Sequence, residues 1–220
     1  MKNRLRRPKS KQRNNKIMQN VSEIVLASGS PRRRELLEML GLRFRIQCSG
    51  AEESVPEGTR PEEMVAQLSR RKLEAVLPEI DPGALCIAAD TVVACGENGA
   101  EILGKPCNRE AAARMLRLLS GRTHVVHTGL AVHRGGRTLI RSVATRVTFR
   151  PLRDAEIAHY IRTADVCGKA GAYGIQEYAG CFAEKIEGDV FSVIGLPICP
   201  LSEMLEELGC PLETLVEDHG

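Results

Sequence analysis

The chain has 220 residues, a formal net charge of +3, and a composition that is 43% hydrophobic but only 3% aromatic. This length suits one sizeable domain or two small lobes around a cleft, and the lack of a solenoid-length period excludes a repeat array. No apolar stretch approaches the roughly 18 residues of a membrane span or fits a signal peptide, so we expect a cytoplasmic protein without a membrane partner. The scarcity of aromatic residues argues against nucleic-acid recognition by base stacking.

The positive charge is concentrated at the beginning of the chain. The first twenty residues contain eight lysines and arginines and no acidic residue, so the rest of the chain is mildly acidic. This pattern predicts a solvated, disordered basic arm over residues 1–20, with weak nucleic-acid contact or a true start at Met18 as the alternatives. We expect one domain over residues 21–212 and a short tail over 213–220.

Strand signals alternate with helical ones along the domain, which predicts an α/β fold. Hairpin turns at Asn98-Gly99 and Gly135-Gly136 occur among helical crossovers, so the sheet should be mixed and carry helices on both faces. The predicted strands cover 24–28, 44–49, 85–95, 102–103, 125–132, 139–149, 182–186 and 190–194. The predicted helices cover 31–40, 61–77, the segment between Asn108 and Gly121, 152–163 and 201–208.

The cysteines and histidines form no recognisable metal or nucleophile motif. The eight cysteines are scattered, with no pair at the two-residue spacing of a zinc knuckle or redox motif, and most fall inside apolar runs. None of the five histidines stands in a metal-spaced pair with another ligand type. We therefore expect reduced thiols that belong to the core, and neither zinc nor Ser-His-Asp chemistry.

The junction between the first predicted strand and the first helix has the character of an anion site. Ser30 can cap the helix, Pro31 suits its first position, and Gly29 lets the backbone approach a ligand closely. Three arginines follow directly, at positions 32–34. Free helix-start N–H groups and guanidinium forks together favour a phosphate chain, although an ordinary capped helix with solvated arginines is the alternative.

Asp90 interrupts an apolar strand, between Ala88-Ala89 and Val92-Val93. A carboxylate in such a strand is costly unless it is paired, hydrogen-bonded or bound to a cation, so Asp90 is a candidate base or metal ligand. A structural hydrogen bond at the strand is the alternative. Thr91 beside it offers a hydroxyl for recognition.

Three further charged residues fall where they could serve the same site. Lys72 interrupts the apolar face of the 61–77 helix, although it could equally extend outward into solvent. Lys105 follows Gly104 on a short turn that could aim an ammonium group. Glu53 follows a strand end and could hold a divalent cation together with Asp90, or belong to a solvated acidic loop.

The glycine-rich segment 168–176 has the small residues of a backbone that closes on a ligand. Gln176 ends this segment, and its amide both donates and accepts hydrogen bonds. That combination suits the imide edge of a uracil or thymine ring.

These segments, in this order, resemble the Maf family of nucleoside triphosphate pyrophosphatases. The resemblance implies a bent mixed sheet flanked by helices, two lobes around a nucleotide cleft in a Maf/ITPase-like arrangement, and a homodimer. It extends over about residues 22–208 and is carried by eight motifs. They are LASGSPRR at 26–33, EES at 52–54, LSRRK at 68–72, ADTVV at 89–93, GKP at 104–106, SGRTH at 120–124, KAGAYGIQ at 169–176, and Gly188 with GLP at 195–197.

The resemblance also implies an activity, the hydrolysis of a nucleoside triphosphate between the α and β phosphates with a divalent cation, Mg²⁺ or Mn²⁺. The loop sequence resembles the subgroup that acts on dTTP and UTP, and modified pyrimidine nucleotides are further candidate substrates. The implied catalytic base is Asp90, which with Glu53 would also bind the cation. The implied substrate-binding residues are Arg33, Lys72, Lys105 and Ser28 for the phosphates, and Arg32, Thr91 and Gln176 for base preference.

Two alternatives to this function remain open. One is a nucleotide-binding regulator of septum formation with little turnover, and the other is a preference for 7-methylguanosine triphosphate. A departure from the family pattern is Glu177, which stands where the family usually has a glycine after the glutamine.

Overall fold

A seven-stranded mixed sheet organises the part of the chain described by the computed structural model, residues 21–96 and 101–216. The strands are β1 (Ile24–Leu26), β2 (Arg45–Ile46), β3 (Leu85–Cys95), β4 (Glu101–Leu103), β5 (Thr123–Arg134), β6 (Arg137–Phe149) and β7 (Ala183–Glu187). Their order is β2-β1-β3-β5-β6-β7, and β4 also pairs with β3. β1 is parallel to β2 and β3, whereas the other pairs are antiparallel, so the predicted mixed sheet is confirmed.

Helices cover both faces of the sheet, as the sequence predicted. Within the described ranges the α-helices are α1 (Pro31–Met39), α2 (Pro61–Val76), α3 (Arg109–Leu119), α4 (Asp154–Thr163), α5 (Val190–Ile194) and α6 (Ile198–Glu207). Side chains alternate between the two faces of a strand, so Leu26 of β1 packs in the core with α1 and α6 while Val25 packs with α2. The sheet is therefore buried on both sides around β1 and β3.

Two large apolar cores on either side of the middle of β3 give the molecule two lobes. Leu85 and Ile87 at the start of β3 pack in the core of α1 and α6, whereas Val93 and Cys95 at its end pack in the core of α3 and α4. The long strands β3 and β5 contribute to both cores. This division matches the two lobes that the family resemblance implies.

β3 changes its partner along one edge, and this leaves a gap in the sheet. Residues 85–87 pair with β1 and residues 93–95 pair with β4, so no described strand covers residues 88–92 on that edge. On the other edge Asp90 lies opposite Gly129 of β5. A Cβ at Gly129 would lie 2.1 Å from the Val65 carbonyl oxygen, so this glycine is what allows α2 to pack so closely. The close packing brings Lys72, about two turns further along α2, over the gap.

The predicted elements differ most from the structure in two segments, and one predicted helix cap does not form. The strand predicted at 44–49 shortens to the two residues of β2. The strand predicted at 190–194 is wrong, because these residues form helix α5: the Asp189 side chain accepts hydrogen bonds from the backbone N–H groups of Phe191 and Ser192, and Gly195 with φ +126° ends the helix. Ser30 occupies the N-cap position of α1, but its side chain makes no capping hydrogen bond.

Three of the predicted segments fall on residues that the structure does not describe. The basic arm over 1–20, the Asn98-Gly99 turn and residues 217–220 lie outside the described ranges. The chain beyond residue 212 remains in contact with the domain up to that limit, because Val216 forms a β-bridge with Leu42.

The prediction of core thiols is wrong for most of the cysteines. All eight are free, but five are exposed and only Cys86, Cys95 and Cys210 are buried. Burial raises the pKa of Cys86 to about 12, so this thiol is inert at neutral pH. In the described ranges, no helix has the length and apolar character needed to cross a membrane.

Candidate active site

A cleft of about 380 Å³ opens at the gap in the edge of β3. One wall is the turn from β1 to α1, and the opposite wall is the glycine-rich loop around residues 168–175. Of the nine residues that the sequence predicted for the site, eight line this cleft and Gln176 does not. The eight are Ser28, Arg32, Arg33, Glu53, Lys72, Asp90, Thr91 and Lys105.

Arg33 is the most firmly held cation of the cleft. Its Nε donates to the Gly195 carbonyl oxygen at 2.8 Å, its Nη1 to Ser28 Oγ at 3.0 Å, and its Nη2 to Thr91 Oγ1 at 3.1 Å. Burial lowers the pKa of Arg33, and the charge of Asp90 opposes that shift. The guanidinium therefore fixes three elements around one positive charge and keeps few N–H groups for a ligand.

Ser28 presents its hydroxyl proton to the cleft. Its oxygen accepts from Arg33 Nη1 and, at 3.3 Å, from the backbone N–H of Ser30. A hydroxyl has two acceptor positions and one O–H, so both acceptor positions are used and the O–H is left to donate. Together with the free N–H groups at the start of α1, this makes the turn a set of donors suited to an anion.

A chain of hydroxyl groups fixes the direction of the Thr91 hydroxyl. Thr128 Oγ1 donates to the Ser192 carbonyl oxygen at 2.7 Å, so its 3.0 Å contact with Thr91 Oγ1 must be a bond that Thr91 donates. Thr91 also accepts from Arg33 Nη2, which leaves one acceptor position on its oxygen. Toward a ligand, Thr91 can therefore accept a hydrogen bond but cannot donate one.

Asp90 and Glu53 meet at the ammonium group of Lys72. Lys72 Nζ lies 2.5 Å from Asp90 Oδ1 and 2.8 Å from Glu53 Oε1. Asp90 is only 8% exposed. Its position on β3 places its side chain on the face that packs against α2, the helix that carries Lys72. The hydrogen bond from Lys72 lowers the pKa of Glu53, burial opposes this, and the charges of Lys72, Lys105 and Arg33 lower it further. The alternative that the sequence left open, a Lys72 side chain that extends into solvent, is thus excluded.

The glycine-rich loop, which forms the opposite wall, is hydrogen-bonded to residues of both lobes. Arg32 Nη2 donates to the Gly168 carbonyl oxygen at 3.3 Å, and the Gly171 N–H donates to the Gly104 carbonyl oxygen at 3.1 Å, next to Lys105. The turn from β1 to α1 and the Lys105 turn are therefore both connected to the glycine-rich loop. Gln176 is exposed on that loop, just beyond the lining residues.

A buried histidine supports this wall from behind. His124 is 1% exposed, and its Nε2 lies 2.8 Å from the hydroxyl of Tyr173, which lines the cleft. Its Nδ1 has no hydrogen-bond partner within the described part of the chain. Burial lowers the pKa of His124 to about 4 and raises the pKa of Tyr173, so both groups are neutral at pH 7.

His124 should make the protein less stable in mild acid. The unfolded imidazole takes up its proton near pH 6.5 but the folded one only near pH 4, so the unfolded state binds more protons between these values. The free energy of unfolding should fall by up to about 3 kcal/mol from this group as the pH drops from 6.5 to 4. Urea unfolding across this range measures the effect. His124→Gln can still bond to Tyr173 but cannot titrate, and a variant with the wild-type pH dependence would contradict the assignment.

The supporting groups of the site were not predicted from the sequence. Thr128 and Ser192 order the Thr91 hydroxyl, and neither was singled out. His124, which supports Tyr173, belongs to the SGRTH motif but was given no role of its own. Thr128 follows Val125-Val126-His127 and precedes Leu130, so it interrupts an apolar strand as Asp90 does. The criterion that identified Asp90, a polar residue inside an apolar strand, would also have identified Thr128 if it had been applied to neutral residues.

The chain is similar over most of its length to one protein family and to individual proteins that share one name. The profile of the family described as Maf-like protein matches residues 23–208. A dTTP/UTP pyrophosphatase of Pelotomaculum thermopropionicum is 47% identical over 191 residues, which are 86% of this chain and 98% of that protein. Proteins with the same name from Moorella thermoacetica and Alkaliphilus metalliredigens are 46% and 44% identical, over 86% and 85% of this chain and 96% of each relative.

Proposed function

Because this chain belongs to the Maf-like protein family, we propose that it hydrolyses dTTP and UTP to the nucleoside monophosphate and pyrophosphate. The relatives that carry the name dTTP/UTP pyrophosphatase support this choice of substrate. The observation that carries the proposal is the buried Asp90 carboxylate, held by Lys72 at the edge of a cleft lined with cations. A protein that only bound nucleotide would not need a buried base at that position.

The cleft offers separate groups for the two ends of a nucleotide. Arg32, Arg33, Lys72 and Lys105 supply positive charge, and Ser28 with the start of α1 supplies hydrogen-bond donors. These groups suit the triphosphate. The remaining lining is uncharged and largely apolar, and we assign the base and sugar to that part. It includes Ala170, Tyr173, Gly174, Ile175, Val193 and Ile194.

In the proposed reaction water attacks the α-phosphorus. Asp90 takes the proton of the water as the new P–O bond forms and the bond to the bridging oxygen breaks, and pyrophosphate leaves with the electron pair. Lys72 would hold the Asp90 carboxylate in place, and Arg33 and Lys105 would offset the charge that spreads over the phosphate oxygens.

The residues fit a divalent cation. Glu53 and Asp90 converge on one point, the Lys72 ammonium, and carboxylate oxygens are the ligands that Mg²⁺ prefers, with water completing its shell. No group of three or more metal-ligating side chains occurs in the described ranges, so two carboxylates and the substrate phosphates would have to hold the ion. Mg²⁺ or Mn²⁺ would supply charge neutralisation at the phosphates when bound.

A substrate panel tests the function directly. The full-length chain with Mg²⁺ should release pyrophosphate from dTTP and UTP at least about tenfold faster than from purine triphosphates or 7-methylguanosine triphosphate. Release of orthophosphate would place the cleavage elsewhere. Binding of dTTP without turnover would instead favour the regulatory alternative, and the homodimer expected from the family can be measured by light scattering on the same preparation.

A further inference from the structure

Lys169 is a buried cation that the reaction described above does not use. Its side chain is 3% exposed, and Nζ donates to Glu177 Oε2 and to the Asp165 carbonyl oxygen, each at 2.7 Å. A buried ammonium is costly unless its N–H groups are paired. The carboxylate of Glu177 is therefore what makes the buried position of Lys169 tolerable.

The pair encloses the loop that forms the uncharged wall of the cleft. The stem of Lys169 packs against Gly174, where an added Cβ would lie 3.1 Å from Lys169 Cε. Gly174 itself donates its N–H to the Tyr160 hydroxyl at 3.1 Å and accepts at 3.2 Å from the N–H of Glu177. The Tyr160 hydroxyl also lies 3.5 Å from Glu177 Oε2. Both ends of the turn 174–177 are thus fixed by the same ion pair.

We infer that Lys169 and Glu177 are positioning residues that set the shape of the base-binding wall. The inference rests on the proposed function, because the phosphate groups occupy the cationic part of the cleft and leave Gly174 and Ile175 to the base. Neither charged group lines the cleft, so the pair acts through the backbone of the loop. The exposed Gln176 lies between Lys169 and Glu177 in the chain, so the ion pair also positions Gln176.

Glu177→Ala tests the pair by leaving Lys169 with one acceptor. The Glu177 side chain is 42% exposed, so water takes the place of its carboxylate at the ammonium and the turn 174–177 loses its anchor. The KM for dTTP should then rise about tenfold, the size of one lost charged hydrogen bond, while kcat changes by less than about threefold. A purely structural role would lower the melting temperature without this separation of KM from kcat.

A double variant separates stability from positioning. Lys169→Met with Glu177→Ala removes the unpaired charge and keeps an apolar stem against Gly174, so the melting temperature should recover while the KM for dTTP stays raised. Recovery of KM together with the melting temperature, or an unchanged KM in Glu177→Ala, would overturn the inference.

The exposed ion pair of Lys185 and Glu187 on β7, at 2.9 Å, provides matched controls. Lys185→Met and Glu187→Ala remove the same chemistry from the surface and should leave both constants unchanged. Calorimetric titration with dTTP in the presence of EDTA gives a second measure that does not depend on turnover. If the wild type binds dTTP without releasing pyrophosphate, the proposed function fails while the affinity of the variants still decides the role of the pair. If the wild type neither binds nor hydrolyses dTTP, both fail.

Discussion

Asp90→Asn should lower kcat for pyrophosphate release from dTTP by about a thousandfold, the size expected for loss of a general base. An amide cannot take the proton of the attacking water. It still offers an oxygen to Lys72 Nζ, and Arg33 and Lys105 are untouched, so the affinity for dTTP should stay within about threefold of the wild-type value. Initial rates with pyrophosphate detection measure the first effect, and calorimetric titration without divalent cation measures the second.

The control for this change removes a carboxylate that has nothing to do with the cleft. Asp154 is 81% exposed and pairs with Arg117 at 2.9 Å, so Asp154→Asn should keep wild-type kinetics. Turnover of Asp90→Asn within about tenfold of wild type would remove Asp90 as the base. Loss of dTTP binding together with loss of the folded state would instead favour a purely structural hydrogen bond of Asp90.

Asp90 and Lys72 could be predicted as site residues because each of them breaks an apolar pattern. Asp90 interrupts a buried strand, where an isolated charge is expensive enough that a partner was expected, and Lys72 interrupts the buried face of a helix, where extension into solvent was the alternative. That they are partners of each other could not be predicted, because it depends on how closely α2 packs. The short distance between Val65 and Gly129 determines how closely α2 packs. The sequence around a glycine in a strand does not show which helix packs against it.

The error at residues 190–194 arises because groups outside this short segment decide its structure. Residues 190–194 are an apolar run that is compatible with a strand or a helix, and the carboxylate of Asp189 selects the helix by capping it. Asp189 is in turn held through Thr145 of β6, whose hydroxyl accepts from the Asp189 N–H at 3.0 Å. The direction of the Thr91 hydroxyl likewise depends on Ser192 of this helix, so the helix that was missed also orders the site.

Lys72→Met should be nearly as damaging as the loss of Asp90, with kcat/KM for dTTP reduced by roughly a hundredfold to a thousandfold. The ammonium lies between two carboxylates, and without it Glu53 and Asp90 face each other and the incoming triphosphate with uncompensated negative charge. The methionine preserves the apolar stem on α2, so the helix should stay in place. Lys185→Met removes an exposed lysine as a control and should leave kcat/KM unchanged.

The pH dependence of Lys72→Met separates this explanation from a simple loss of binding charge. In the wild type the hydrogen bond from Lys72 lowers the pKa of Glu53, which keeps its carboxylate ionised. In the variant Glu53 loses this hydrogen bond and the neighbouring positive charge, so its carboxylate is protonated at a higher pH than in the wild type. Because the proposed reaction needs ionised carboxylates, the acidic limb of the kcat/KM profile should move to higher pH and activity should partly recover as the pH rises. A variant with reduced kcat/KM but the wild-type acidic limb would show that Lys72 acts on the phosphates alone.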